Sequence, residues 1–548
     1  MTTKKSAFFR HYSLLFALLP FAALCFFFVL PYIAALLPGL KNLSALKAPW
    51  IWTVTGWTAA QAALSTALSI VFALPAAALV SSRGFKHKAL MRSVTAIPFA
   101  LPPIIMALGF VLFWGNSGIV NRFFEALFGV ETAFRVLYRP QAVIFCHACY
   151  NFPLIMRIGA DAFEQIRASY SAVSWSLGAN PLKTLVFVSI PLALPRILAA
   201  SLLVFLYCFT SFAIVLLLGG AGRSTLAVEI FRHARVTLDF SSAGALALIE
   251  TLIAWTVFAL FLFLERVFCG GKSPPSPALR CGLPPSAGAC PRNAPAFSPS
   301  TVLMLPILLL ALGPVLAVIA DSFFAAPSRA SAAVFTLLNW SASGERLFGA
   351  FVRSAALAAL SACFTLVLAF FGTQALCQRE EGNGGFFRGL ITLSAASSGV
   401  VLGLGISSFY GRALSGTVLM AAAAQALIAL PFAFNSVYGA LRALPPSIHR
   451  QTLVFGASPL RRAFFELPLI STALRSAFGF SACISLGELN TIIMLGVKNY
   501  ETMPLFIYRA AGAYRYGEAA ACGALLVAAS FLALRVSEAR GSMLKRSG

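Results

Sequence analysis

Long apolar runs recur along this 548-residue chain, and short segments between them carry most of the polar and charged positions. A helix needs roughly 20 mostly apolar residues to cross a bilayer, so the pattern predicts about twelve membrane-spanning helices. Their predicted centres lie near residues 25, 69, 103, 149, 205 and 255 in the first half, and near residues 312, 363, 400, 428, 480 and 526 in the second half.

The composition agrees with this pattern. The chain is 59% hydrophobic and only 11% charged, and a soluble protein of this size could not bury so much apolar surface. The first apolar run, residues 13–37, follows a basic stretch and is too long for the core of a signal peptide, so we interpret it as the first spanning helix. We predict an all-α polytopic membrane protein.

The formal net charge of +24 has two interpretations, nucleic-acid binding and membrane topology. The basic residues concentrate after the second, fourth and sixth predicted spans of the first half, in equivalent segments of the second half, and at the C-terminus. These segments share one side of the membrane if both termini are cytoplasmic, as the positive-inside rule requires. Some basic residues, such as Lys41 and Arg122, lie on the opposite side. Topology explains the charge better than a nucleic-acid partner.

Two halves of the chain repeat each other. The sequence 62–83 aligns with 354–379, so that Ser65 matches Ser361, and TLAVEIFR at 225–232 aligns with TMPLFIYR at 502–509. Between the halves, residues 269–300 are rich in Pro, Ser and Gly and are predicted to form a flexible cytoplasmic linker. We therefore expect a first unit at 1–268 and a second unit at 301–548, each with six helices in the same orientation.

A short polar phrase occurs once in each half, as GANPLKTLVFVSIP from Gly178 and as GASPLRRAFFELP from Gly456. A glycine suits the left-handed residue that ends a helix, Asn or Ser suits the N-cap, and proline suits the first helical position. The phrase thus predicts two short helices joined by a sharp cytoplasmic corner, after which Pro191 and Pro468 begin the next span. The corner residues are Gly178, Ala179, Pro181 and Pro191 in the first half, and Gly456, Ala457, Pro459 and Pro468 in the second half.

This phrase resembles the cytoplasmic coupling loop of ABC-importer permeases, in which an EAA sequence is followed after three residues by glycine and later by a hydrophobe–proline pair. The chain keeps the glycine and the Ile190-Pro191 and Leu467-Pro468 pairs. It has Ala172-Val173-Ser174 and Arg450-Gln451-Thr452 in place of EAA. Over nearly the whole chain outside the linker, the sequence resembles fused two-unit permeases. HACYNFPLIMR at 147–157 and SLGELNTIIMLG at 485–496 are most similar to the thiamine branch, with ferric-iron permeases as relatives.

The resemblance implies a type I importer fold and transport by alternating access. Among partners, it implies a homodimeric ATPase that uses ATP and Mg²⁺ on the cytoplasmic side, and a periplasmic or lipid-anchored binding protein on the outer side. The chain itself is expected to bind no cofactor and to lack enzymatic activity. It contains no phosphate-binding loop motif, and the nearest sequence, GGAGRST at 219–225, lacks the lysine. The implied location is the bacterial inner membrane.

Candidate residues of the translocation path are Glu488, Asn490 and Ser211. A carboxylate within an apolar run is costly unless it is paired or faces a cavity. Glu488 therefore either favours a cation in the path or forms a structural pair, and Glu250 poses the same question. No metal site is predicted, since the Cys146-His147-Ala148-Cys149 sequence has no second pair of ligands.

Three alternatives to thiamine import stay open at this point. An importer of ferric iron would share the same architecture. A secondary transporter driven by an ion gradient would need no soluble partners. A membrane enzyme would need clustered His, Asp or Glu at one membrane face, and the five histidines are spread along the chain.

Overall fold

The computed structural model describes residue 16 and residues 18–82, 88–129, 135–220, 223–268, 299–325, 334–377, 384–454 and 458–538. Within these ranges ten helices are long and apolar enough to cross a membrane, and two bent helix pairs raise the number to twelve. Each of the twelve predicted centres falls within one of these spans, although position 103 is the first residue of its span. The predicted all-α polytopic fold is confirmed.

We number the spans in chain order. Spans 1 to 6 are Leu18–Lys41, Pro49–Ser81, Pro103–Phe128, Pro140–Ala168, Pro181–Phe209 and Phe240–Phe268. Spans 7, 8, 10 and 12 are Met304–Phe323, Gly344–Cys377, Val418–Arg442 and Tyr516–Arg535. Span 9 joins Arg388–Ser394 to Gly399–Gly411 through a bend of 105°, and span 11 joins Arg461–Leu469 to Ser471–Gly487 through a bend of 78°.

Shorter elements connect the spans. The short helices between spans include Lys88–Ala100, Ala213–Leu218, Leu226–Phe231, Pro446–Val454, Asn490–Leu495 and Met503–Gly512. The strands Phe324–Ala325 and Val334–Phe335 form a small antiparallel pair after span 7. The helix Pro299–Phe323 includes the last two residues of the predicted linker, and the other linker residues lie outside the described ranges.

The sequence repeat corresponds to a structural repeat. In the first half, the backbone N–H of Leu226 donates a hydrogen bond of 3.0 Å to the hydroxyl of Thr58 on span 2. In the second half, the N–H of Met503 donates one of 2.8 Å to the hydroxyl of Ser354 on span 8. Thr58 and Ser354 are separated by the same number of residues as Ser65 and Ser361. Each half therefore holds the start of the same short helix in the same way.

The two halves exchange their first spans. Span 1 packs on span 9, and span 7 packs on span 3. A Cβ atom added to Gly405 of span 9 would lie 2.1 Å from the carbonyl oxygen of Pro31, and one added to Gly109 of span 3 would lie 2.1 Å from that of Pro314. Small residues let helix backbones approach this closely. The two halves are thus interlocked rather than placed side by side.

This contact makes a prediction about glycine. Gly405→Ala should lower the stability of the folded chain by about 1–3 kcal/mol, because the new methyl group overlaps backbone that cannot move freely. Gly56→Ala on span 2 is the matched control, since a Cβ there meets nothing within 4 Å. Thermal unfolding of the detergent-purified proteins should show a lower Tm for Gly405→Ala alone. Equal Tm values for the two variants would contradict the close contact.

Candidate coupling corners and translocation path

The first corner has the geometry that its sequence predicts. The helix Pro140–Ser176 ends in a Schellman motif, with Gly178 in the left-handed region at φ 82°. The N–H of Ala179 donates to the carbonyl oxygen of Ser174 at 3.0 Å, and the N–H of Gly178 donates to that of Trp175 at 3.0 Å. These bonds satisfy carbonyl groups at the helix end and turn the chain sharply.

The helix after the corner begins at once. The side chain of Asn180 accepts a hydrogen bond of 2.7 Å from the N–H of Lys183, and Pro181 is the first helical residue. In the second half, Gly456 and Ala457 lie outside the described residues. Ser458 accepts a hydrogen bond of 3.4 Å from the N–H of Arg461, and Pro459 starts the helix Pro459–Leu469. The N-cap chemistry is therefore the same in both halves.

The helices that flank the two corners differ, and only the second half has the short helices that the sequence suggests. There, Pro446–Val454 is separate from span 10, and Pro459–Leu469 is a short helix set off from Ser471–Gly487 by the 78° bend within span 11. In the first half, both flanking helices continue directly into spans 4 and 5. Proline disrupts a helix interior, and Pro445-Pro446 interrupts the chain after span 10 where span 4 has no equivalent proline.

Pro191 and Pro468 do not begin the next spans. Pro191 lies inside span 5, directly after the π-helical turn Leu185–Ser189. Pro468 lies in the last turn of Pro459–Leu469, before the bend into Ser471–Gly487. Each proline therefore follows the corner at a local irregularity of the helix, because a proline cannot continue the regular hydrogen-bond ladder.

Salt bridges brace the first corner. Arg92 of the helix Lys88–Ala100 contacts Asp161 at 3.0 Å and Glu164 at 3.1 Å, and Lys88 contacts Glu164 at 3.3 Å. The guanidinium of Arg167 also donates to the carbonyl oxygen of Ser81 at the end of span 2. The acidic residues that precede the corner thus bind within the chain and fix the direction of span 4.

The left-handed glycine at the corner leads to a second prediction. Gly178→Val should strain the corner by about 1–2 kcal/mol, because a side chain disfavours this backbone region. Gly178→Asn should be milder, since asparagine tolerates it. Binding of the purified ATPase subunits and solute uptake should both fall for Gly178→Val.

Gly129 supplies the control for this experiment. It has φ 66° at the opposite end of the molecule, and a Cβ there also meets nothing within 4 Å. Gly129→Val should impose similar strain without loss of ATPase binding. If both valine variants bind the ATPase equally, the corner is not a docking element.

The candidate path residues lie directly after the ends of spans 5 and 11, where each helix breaks before a short helix begins, and we call these two breaks the interruptions of spans 5 and 11. Ser211 precedes the short helix Ala213–Leu218, and Glu488 precedes Asn490–Leu495. Ser211 and Glu488 stand two residues before the start of equivalent six-residue helices, so they occupy equivalent positions in the two halves. Both side chains are half-buried.

Glu488 and Asn490 lie close to the contact between the halves. One carboxylate oxygen of Glu488 accepts a hydrogen bond of 3.2 Å from the N–H of Thr491. A Cβ on Gly399 would be 3.2 Å from that oxygen and 3.4 Å from the side chain of Asn490. The neighbouring Gly487 packs against Pro102 of the first half, where an added Cβ would be 2.6 Å away. Ser211 is instead bound to His147, at 2.8 Å.

Glu250 occupies a different place from Glu488. It lies in span 6, is 0% exposed, and neither carboxylate oxygen has a hydrogen-bond partner among the described residues. Ser398 and Tyr32 lie nearby. The equivalent eleventh residue of the helix Tyr516–Glu538 is Leu526, which is also 0% exposed. The same packing position is therefore filled by an apolar side chain in the second half.

This comparison predicts that Glu250→Leu is tolerated. Replacing a buried ionisable group by an apolar one of similar volume is often neutral or stabilising by about 1–4 kcal/mol. We expect the Tm of Glu250→Leu in detergent to equal or exceed that of the unmodified chain. Leu526→Glu, the reverse change, should lower the Tm. A lower Tm for Glu250→Leu would show that the carboxyl group supports the packing.

At the opposite end from the corners, charged residues form a second cluster. Glu501 accepts hydrogen bonds from Arg346 at 2.7 Å and from Arg509 at 3.0 Å. The hydrogen bond from Arg346 lowers the pKa of Glu501, with a smaller contribution from Arg509. In the first half, Arg232 contacts Glu229 at 2.8 Å. Arg232 and Arg509, which the repeat matches, both keep more than half of their side-chain surface exposed.

Sequence reasoning missed several polar residues that the fold brings to the interrupted spans. Gln61 and Gln425 are both 0% exposed, and each binds a residue of the fourth or fifth span of its half. The available signal was their position inside apolar runs, where polar side chains are costly. Among the residues that the structure describes, no group of three His, Cys, Asp or Glu side chains is placed to hold a metal ion.

Comparison with known proteins adds to this picture. Residues 69–269 match the family described as binding-protein-dependent transport system inner membrane component. The chain is 27% identical over 503 residues to the thiamine transport system permease protein ThiP of Brucella abortus (strain 2308), covering 90% of this chain and 89% of that protein. It is 25% identical over 500 residues to ThiP of Escherichia coli (strain K12), covering 89% of each.

A shorter stretch of the chain is similar to a permease that is named for another solute. Over 163 residues the chain is 32% identical to PhnU of Salmonella typhi, a permease protein named for a 2-aminoethylphosphonate transport system, covering 30% of this chain and 56% of that protein. The chain is similar in organisation to a fused two-unit permease of the ABC importers: residues 69–269 match the family model, and the second half repeats the helix arrangement of the first. Along most of its length it is similar to thiamine transport permeases, and the family that residues 69–269 match is described as an inner membrane component.

Proposed function

We propose that this chain is the translocation subunit of an ATP-driven importer that moves thiamine or thiamine phosphates inward. The observation that carries the proposal is the similarity to permeases named for thiamine transport over about nine tenths of both chains. The shorter similarity to PhnU covers less than a third of this chain. The transported solute therefore follows the relatives that match both halves.

The partners follow from the same proposal. A homodimeric ATPase binds the two corners from the cytoplasm and uses ATP and Mg²⁺, while this chain binds no cofactor. A binding protein delivers the solute at the outer end, where Arg232 and Arg509 are exposed. Both termini are cytoplasmic, and the first unit, 1–268, and the second unit, 301–548, are joined by the linker 269–300. One chain then supplies the whole membrane domain.

The transport cycle uses the corners as levers. Closure of the ATPase dimer on ATP moves both corners, namely Gly178–Pro181 with Pro191, and Gly456–Pro459 with Pro468. A capped helix is rigid, so a displacement at its end is passed to the span that it continues. The halves rotate against each other, and the space beside the interrupted spans opens outward. Release of the ATP products reopens it inward.

The position of the Glu488 carboxylate favours a cationic solute. Its carboxylate is half-buried at the contact between the halves, with Asn490 beside it and Ser211 at the equivalent position of the first half. A carboxylate in a low-dielectric environment attracts positive charge strongly. The thiazolium ring of thiamine is a cation, whereas a phosphonate group is an anion. Ferric iron is also a cation, so the charge alone does not separate iron from thiamine.

The decisive measurement is uptake in cells that lack this gene. Labelled thiamine, labelled ferric iron and labelled 2-aminoethylphosphonate are offered side by side, and the gene is then restored. We expect loss and recovery of thiamine uptake alone. Recovery of iron or phosphonate uptake instead would reassign the solute. Thiamine uptake that persists after disruption of the ATPase would indicate a secondary transporter.

Glu488→Gln tests the path in the restored cells. We expect thiamine uptake to fall roughly tenfold, the cost of about one lost charge-assisted contact. Gln425 lies nearby on span 10, is fully buried and bears no charge, so Gln425→Glu provides the reverse test of added charge. Unchanged uptake with Glu488→Gln, at equal amounts of membrane protein, would remove Glu488 from the path.

A further inference from the structure

We propose that His147 is a positioning residue that ties the interruption of span 5 to span 4, so that movement of the first corner reaches the translocation path. This inference rests on the proposed function. It concerns how the first half couples its corner to the path, and it does not depend on which solute is carried.

A series of three hydrogen bonds with assigned donors and acceptors supports this proposal. The amide nitrogen of Gln61 donates to the carbonyl oxygen of Cys208 at 2.9 Å, so the amide oxygen of Gln61 faces His147 as an acceptor. Nδ1 of His147 therefore carries the proton and donates to Gln61 at 3.2 Å. Nε2 of His147 then has a free lone pair and accepts from the hydroxyl of Ser211 at 2.8 Å. Each of these three hydrogen bonds therefore has one donor and one acceptor.

This series of hydrogen bonds begins and ends at the interruption of span 5. Cys208 lies in the last turn of the helix Ile190–Phe209, where carbonyl groups have no partner within the helix. Ser211 lies two residues beyond that helix. The amide of Asn151, one turn after His147 on span 4, also donates to the sulfur of Cys208 at 3.4 Å. Span 4 thus holds the interruption from both sides.

Burial makes this tether stiff. His147 is 1% exposed and Gln61 is 0% exposed, so no water can replace a broken contact cheaply. Displacing Ser211 relative to span 4 would leave a buried donor or acceptor without a partner. The interruption of span 5 and the middle of span 4 are therefore expected to move together.

Span 4 extends this connection to the corner. The helix Pro140–Ser176 is continuous through Pro153, from His147 to the residue before the Schellman turn. The distance from His147 to Gly178 along the helix axis is roughly 45 Å. When the corner tilts, this helix and the imidazole ring of His147 should therefore move Ser211 with it.

The second half has a different polar residue at the position equivalent to His147. Gln425 of span 10 stands at the position equivalent to His147, because the same number of residues separates Pro153 from Pro431. It accepts a hydrogen bond from Ser485 on span 11. Ser485 is the counterpart of Cys208 rather than of Ser211, so the glutamine amide bonds one turn earlier on its fifth span. Span 10 ends at Arg442, and the helix Pro446–Val454 that leads to the second corner is separate from it.

Four variants of the full chain test the tether in a complex with its ATPase and binding protein. His147→Leu and Ser211→Ala each break it, and the double variant tests whether the two residues act as one unit. His147→Gln should preserve it, because a glutamine amide can donate to the amide oxygen of Gln61 and accept from the hydroxyl of Ser211. Thr66→Val is the control, since among the described residues the buried hydroxyl of Thr66 bonds to the carbonyl oxygen of Ala62 in its own helix and to no residue of another span.

The first readout is hydrogen exchange of peptides that cover residues 206–218, in the resting complex and in the complex trapped with ADP and vanadate. We expect trapping to change this exchange in the unmodified chain, in His147→Gln and in Thr66→Val. We expect the change to be lost in His147→Leu, in Ser211→Ala and in the double variant. An equal response of His147→Leu and the unmodified chain would overturn the inference.

The second readout is the number of ATP molecules hydrolysed per solute molecule taken up by proteoliposomes. It should rise roughly tenfold in His147→Leu, as expected for loss of one buried contact, and the double variant should not exceed either single variant. Reduced uptake with an unchanged ratio would indicate a merely structural role. Failure of the unmodified chain to assemble with the ATPase would instead refute the proposed function.

Discussion

The close approach of helix backbones at two glycines determines the architecture. Gly109 accommodates the carbonyl oxygen of Pro314, and Gly405 accommodates that of Pro31. Helices in a membrane gain little from the hydrophobic effect when they associate, so tight van der Waals packing between small residues is a main source of attraction. These two contacts place the first span of each half on the other half. The remaining spans are then arranged around the contact between the halves.

A second constraint follows from the apolar surroundings. Every interruption of a span exposes backbone groups that hydrocarbon cannot satisfy. In the first half, the amide of Gln61 donates to the carbonyl oxygen of Cys208, and His147 bonds to the hydroxyl of Ser211. In the second half, Glu488 accepts from the backbone of Thr491. Polar side chains thus satisfy exposed groups at these two helix breaks.

The duplicated halves have diverged at the positions most relevant to transport. Ser211 is matched by Glu488, His147 by Gln425, and Glu250 by Leu526. The corner of the first half continues two long helices, whereas the corner of the second half lies between short ones. Under the proposed function, two identical ATPase subunits would act on two corners of different structure. Such asymmetry is available to a fused chain, because each half can change independently.

The sequence by itself determined the helical class, the position of all twelve spans and the chemistry of the first corner. These features depend on local rules, namely the length of apolar runs and the preferences of Gly, Asn and Pro at helix ends. Glu488 also stood out by itself, since a carboxylate in an apolar run needs a reason.

Only the tertiary structure decided which helices exchange partners. It also decided that Glu250 is fully enclosed while Glu488 lies at the contact between the halves, and that Gln61 and His147 are bonded to each other. Gln61 and His147 are far apart in the chain, and periodicity carries no information about which distant helix a given face meets. The bends in spans 9 and 11 were likewise hidden, because an apolar run has the same composition whether its helix is straight or broken. Packing between distant segments selects one arrangement among the many that the local pattern allows.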